Sequence, residues 1–250
     1  MSELWSNKRV QLNFYLKKQN PEVFLGVFSF MKADEKKYIY TDEIEYADLS
    51  HSSVWGTEDL ATTNLLNHME TGGKWLNLCA GDGRFNHVLL EKADEVVAVD
   101  IDEGALQKLV RVTPDHLKNK LITKTMNVVE PFPFEDGEFV GVFSVGTMHL
   151  FPRQVFQIIF LEMRRVLKSG GRIIMDFAAD IKRTYPDGSL WIVENEPNYT
   201  QEEALSFLKE VFKDERTNFT VAFVPPEKVT LGDKEYLFTS NFILVDAVKK

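Results

Sequence analysis

Cysteine is nearly absent: Cys79 is the only one in 250 residues, so no internal disulfide can form. There is no H-E-x-x-H run and no set of cysteines at zinc spacing, and no metal is expected. No apolar stretch approaches the roughly 20 residues that a membrane-spanning helix needs. The opening MSELWSNKRV lacks the apolar core of a secretory signal, so a cytoplasmic protein with no membrane partner is expected. Basic residues are in deficit, 29 against 38 acidic, leaving a formal charge of −9. Binding to phosphate backbones needs clustered Lys and Arg, so a nucleic-acid partner is not expected. G-x-x-x-x-G-K-[ST] and G-x-S-x-G are both missing, which argues against a nucleoside-triphosphate site and a serine-hydrolase elbow.

Hydrophobic residues, at 44%, are sufficient for a sizeable core, and the length suits one large α/β domain with a smaller cap. The most informative stretch is Lys74 to Asp102, KWLNLCAGDGRFNHVLLEKADEVVAVDID. An apolar run ends at Gly81-Asp82-Gly83, helical spacing follows through Leu90, and a second apolar run, Val96 to Val99, ends on Asp100. Runs apolar on both faces suit parallel strands covered by helices on each side. Glycines permit a sharp turn and a close backbone approach, and a carboxylate at the second strand's end can accept two ribose hydroxyls. The unit reads as a nucleoside holder. The dinucleotide fingerprint G-x-G-x-x-G fails at its third position, where Asn86 stands, which speaks against a nicotinamide-dependent oxidoreductase.

The pattern continues in order. Asp102 can cap a helix through about Val112, and Lys120 to Met126 reads as a third strand and Val140 to Val145 as a fourth. A helix begins near Pro152 and closes at Arg164 to Gly171, with Gly170 placed as a left-handed cap. Arg172 to Phe177 is a fifth strand, and Ala178 to Glu196 an irregular loop over the site. Thr200 and Glu203 form a capping box for a helix to about Phe212. Phe219 to Val224 and Tyr236 to Val248 are extended. The first seventy residues, rich in aromatics, do not follow this rhythm. Within them, Arg9 to Lys18 reads as a short helix and Thr57 as the cap of another to about Met69.

WLNLCAGDGRF with AVDID, the Asn127 to Phe139 segment around Pro133-Phe134, and RVLKSGG at Arg165 to Gly171 resemble motifs of the class I S-adenosylmethionine-dependent methyltransferases. Asn77 and Asn127 stand where that family usually has acids, Cys79 where it has glycine, and Val140 where an Asp is common. The resemblance implies a doubly wound, Rossmann-like, mostly parallel sheet with an antiparallel C-terminal hairpin. The division expected is an N-terminal cap over 1–70 and a cofactor-binding domain over 71–250. It also implies methyl transfer from S-adenosyl-L-methionine, with a small-molecule acceptor as the expected substrate. Gly81 and Gly83 would admit the methionine half, Asp100 would hold the ribose, Ile101 would lie on the adenine face, and Asn127 with Val128 would meet the adenine. Asn77, Cys79, Ala80 and Ser144 complete the expected cofactor set.

His149, beyond the fourth strand, is the candidate general base, because an imidazole titrates near neutrality. Tyr46, His51 and Trp55 are candidates for closing over the acceptor. His68, His87 and His116 fall on helical segments and read as solvated or packed. A protein that binds S-adenosylmethionine or its product without turnover is the alternative function, and a NAD-dependent oxidoreductase the third. The sequence leaves monomer and homodimer equally open.

Overall fold

The computed structural model describes residues 60–69, 72–193, 196–231 and 234–250. Tyr46, His51, Trp55, the expected Arg9 to Lys18 helix, the expected Thr57 cap and most of the expected 1–70 cap lie outside the described residues. The described chain begins with α1 (Leu60–His68) and continues with β1 (Lys74–Leu78), α2 (Asn86–Lys92) and β2 (Glu95–Asp100). Next come α3 (Glu103–Val112), a 3-10 turn at Asp115–Lys120, β3 (Leu121–Thr125) and β4 (Phe139–Ser144). A second 3-10 turn (Met148–Leu150) leads to α4 (Arg153–Val166), β5 (Leu167–Thr184), α5 (Gln201–Val211), β6 (Arg216–Leu231) and β7 (Lys234–Val248).

The seven strands form one sheet in the order β3-β2-β1-β4-β5-β7-β6. β1 to β5 pair in parallel, and β7 pairs antiparallel with both β5 and β6. The expected doubly wound, mostly parallel sheet with a C-terminal antiparallel hairpin is present. Its two faces bury alternate residues of the same strands. Leu76, Leu78, Val97, Val99 and Val142 pack with Phe156, Ile159 and Met163 of α4 and with α5. Trp75, Val96, Phe143 and Ile174 instead join Leu66 of α1 and Leu89 and Leu90 of α2. Trp75 lies across Gly141 on the neighbouring strand, where a Cβ would come within 2.4 Å of its ring.

Two expectations are corrected at β5. Helix α4 ends in the extended residue Leu167, not in a left-handed Gly170. Gly170 does have φ of +74°, but it lies three residues further on, with its N–H bonded to the Lys249 carbonyl. The helix's terminal carbonyls are met from far along the chain: the Lys249 ammonium reaches those of Arg164 and Leu167. β5 also runs on to Thr184, so residues 178–184 are strand rather than loop. This extension passes the end of β4. A register shift between Ala179 and Lys182 bends it, with Asp180 at φ +52° and its carboxylate holding Asn241 Nδ2 at 2.7 Å.

The chain then returns along the edge of β5 that β4 no longer covers. Trp191 N–H donates to the Arg183 carbonyl, Asp180 N–H donates to that of Tyr199, and Arg183 pairs with Glu196 through two bonds of 2.6 and 2.8 Å. The Thr200–Glu203 capping box is formed as expected and starts α5. Among the described residues no helix is long and apolar enough to cross a membrane.

Candidate functional site

The chain winds outward from β1 to β3 and then crosses back to β4, so strand order reverses between β1 and β4. In open α/β sheets, ligands bind outside the carboxyl ends of the strands at this point. Cys79 to Gly83, Asp100, Asn127 and the loop 145–151 all leave the sheet at that edge.

The turn after β1 is tightly held. Ala80 N–H donates to the Val99 carbonyl and Gly83 N–H to that of Ala80. Gly81 and Gly83 have φ of +53° and +95°. Gly81 N–H donates to Asp100 Oδ2 at 2.8 Å, while Asp100 Oδ1 accepts from Asp102 N–H at 2.9 Å. Asp102 itself caps α3, accepting from Ala105 N–H, which leaves Asp100 out of that role as its position in the sequence implied. Asp100 thus ties two loop backbones together. A carboxylate has about four acceptor positions, so accepting capacity remains for a ligand. Burial raises the Asp100 pKa above the usual carboxylate value, and the Asp102 and Gly81 amides oppose that rise. Beside it Ile101 is 40% exposed, an apolar surface left open at the rim.

Other expected contacts act beneath the site. Asn77 is buried and donates through Nδ2 to Asn86 Oδ1 at 3.0 Å. Its side chain braces the start of α2 and does not reach the crevice. Ser144 is corrected in the same way: fully buried, its hydroxyl donates to the Leu78 carbonyl and fastens β4 to β1. Ala80 is buried. Asn127 Oδ1 accepts from Val129 N–H at 3.2 Å, closing a local turn, and the Val128 side chain belongs to the core. Any adenine contact from this pair therefore uses a second lone pair of Asn127 or the Val128 backbone. Cys79 has φ of +52°, where a side chain is disfavoured and glycine is easy. Burial and then the Asp100 charge push its thiol pKa up, against a hydrogen bond with Thr147, so the thiol stays protonated.

Beyond β4, Gly146 N–H donates to the buried Asp176 carboxylate at 2.6 Å. His149 is 8% exposed and edge-on to Phe177, with Nδ1 lacking a hydrogen-bond partner. Burial, and secondarily the Arg183 charge, pull its pKa down to about 3. An imidazole so weakly basic is a poor proton acceptor at neutral pH, which argues against the general-base expectation for His149. It is a neutral imidazole whose Nδ1 is buried without a partner.

Reading the sequence missed Asp82, Lys108, Asn86 and Asp176. Lys108 Nζ lies 3.0 Å from Asp82 Oδ2 with both side chains at 0% exposure. The signals were available: Lys108 interrupts the apolar face of α3 between Ala105 and Leu109, and Asp176 ends an apolar run just as Asp100 does. Among the described residues no group of His, Cys, Asp and Glu could hold a metal ion.

Residues 76–171 match the family model described as a methyltransferase domain. No curated protein sequence matches the chain. Among solved structures, the YcgJ protein of Bacillus subtilis superposes with a TM-score of 0.55 at 12% identity, over 75% of this chain and 97% of that one. The PH0226 protein of Pyrococcus horikoshii OT3 gives 0.54 at 21% identity, over 87% and 99%. An S-adenosylmethionine-dependent methyltransferase of Mesorhizobium loti gives 0.51 at 14%, over 78% and 100%. At these identities the likeness is one of fold.

Proposed function

We propose that this chain, whose residues 76–171 match a methyltransferase domain, is a class I S-adenosylmethionine-dependent methyltransferase that transfers a methyl group from S-adenosyl-L-methionine to a small-molecule acceptor. The observation that carries this reading is Asp100: a carboxylate at the end of β2, fixed by two backbone amides and still with accepting capacity, beside the open apolar face of Ile101. Diol recognition and an apolar rim together fit the adenosine half of that cofactor. The glycine turn fits its methionine half.

The cofactor supplies a methyl group on a positively charged sulfur, open to displacement by the acceptor's nucleophilic atom. The protein's part is to hold the two partners. Gly81 and Gly83 keep the backbone low under the crevice, and Asp100 orients the ribose. The Val128 backbone and Asn127 set the adenine edge. Orienting a donor and an acceptor can contribute about 7–11 kcal/mol through effective molarity, so a strong base is not required. Displacement leaves S-adenosylhomocysteine as the neutral thioether, and a proton lost from the acceptor passes to water, since His149 is held neutral. Acceptor selection is assigned to the N-terminal segment, with Tyr46, His51 and Trp55 as its contributing residues.

Asn77 and Asn127 are compatible with turnover, because both amides have structural partners of their own and neither needs a charge. Thermal-shift titration with S-adenosylmethionine, S-adenosylhomocysteine and NAD tests the cofactor reading first. A ligand at 100 times its dissociation constant adds about 2.7 kcal/mol. Stabilisation by the first two and not by NAD is expected. Transfer of labelled methyl into a small-molecule extract follows. Stabilisation by NAD alone overturns the reading, and binding without transfer to any acceptor favours the non-catalytic alternative.

A further inference from the structure

The side chains of Asp82 and Lys108 form an ion pair with no exposure at all, and one partner sits between the two glycines of the turn. The turn meets α3 at two places. At the helix start, Gly81 is bonded to Asp100, and Asp100 to Asp102, the cap of α3. Six residues along, about 9 Å at 1.5 Å per residue, Lys108 holds Asp82. Leu109, the next residue, fills the space against Gly83 that a Cβ would occupy. The ammonium stands 3.0 Å from Oδ2 without an aligned hydrogen bond, so charge rather than a directed bond holds it.

Removing two charges from water costs several kcal/mol per ion, and a buried pair can often be replaced by apolar residues with no loss of stability. Stability alone is therefore a weak reason for this pair. What it adds is geometry, because a charge inside a close-packed face fixes where the opposite charge must lie. We propose that the Asp82–Lys108 pair is the positioning element of the cofactor turn, seating Ala80 to Gly83 on α3 so that the Gly81 amide and the Asp100 carboxylate present one fixed surface to the ligand. Neither side chain touches the cofactor. Both act through the turn. The inference rests on the cofactor reading above.

The test compares wild type with the near-isosteric, uncharged double variant Asp82→Asn/Lys108→Met. S-adenosylhomocysteine affinity is measured by calorimetric titration, and melting temperature without ligand is measured alongside. The expected result is a melting temperature close to wild type with affinity about tenfold weaker. If activity is available, KM for the cofactor should rise and kcat should change little. Unchanged affinity in the folded variant overturns the proposal. If that variant does not fold, the charge-free pair Asp82→Ala/Lys108→Leu takes its place, since it removes both charges and the contact together, and the same comparison decides. Wild type failing to bind S-adenosylhomocysteine would instead overturn the cofactor reading itself.

Discussion

A methyl group placed on Gly83 would lie 2.3 Å from Cδ1 of Leu109 on α3. The second glycine of the turn is thus required by packing against a helix as much as by access for a ligand, and its φ of +95° adds a conformational penalty for any side chain. Gly83→Ala should cost about 2–4 kcal/mol, from overpacking and strain together. In a Leu109→Ala background the overlap is gone, and the same change should cost about 1–3 kcal/mol. Urea unfolding of the four proteins checks this. An equal cost in both backgrounds would show that the contact is not the cause.

Cys79, with φ of +52°, should accept glycine with little change. Relief of about 1–2 kcal/mol of left-handed strain is set against the loss of a partly buried side chain and its bond to Thr147. Cys79→Gly should therefore shift stability by less than about 1 kcal/mol, whereas the β-branched Cys79→Val should cost about 2 kcal/mol or more. Thermal melts of the two variants give the comparison, and a larger loss for glycine would contradict it.

His149 predicts an acid-sensitive fold. Its pKa falls to about 3 in the folded chain, from 6.5 for a free imidazole. Between those values the unfolded chain binds the extra proton, so stability falls as pH drops through that window and is fully present above it. From pH 7 to pH 5 this one group should remove about 2 kcal/mol. His149→Leu should lose less stability over the same interval by about that amount, as read by urea unfolding at both pH values. Parallel pH dependences in the two proteins would show that His149 is not the group involved.

Much of this fold was legible because its signals are local. Apolar runs ending at a glycine turn or an acid located β1, β2 and β4. The Thr200–Glu203 box located α5, and Asp102 the start of α3. What failed to show depends on partners distant in the chain. The end of α4 was assigned to Gly170, yet its carbonyls are met by Lys249, some eighty residues away. The length of β5 depends on β7 and on the returning strand edge at Trp191, which no property of residues 178–184 announces.

At the site, residue type located the crevice but not the direction of each side chain. Asn77 and Ser144 stand near strand ends and were read as ligand contacts, yet both side chains are committed to buried internal hydrogen bonds, to Asn86 of α2 and to the Leu78 carbonyl. His149 was read from its ordinary pKa, and burial changed that value. Lys108 was the clearest overlooked signal, a charge in the middle of a helix's apolar face.

The most direct measurement is calorimetric titration of wild type and Asp100→Ala with S-adenosylhomocysteine. Hydrogen bonds to a charged group contribute roughly 1.5–3 kcal/mol. Asp100 also holds Gly81 and Asp102, so unliganded melting temperatures are measured in parallel. The predicted result is micromolar-range or tighter binding by wild type and an affinity about ten- to a hundredfold weaker in a variant that remains folded. Equal affinities in two folded proteins would remove Asp100 from the site and contradict the placement of the cofactor over β1 and β2.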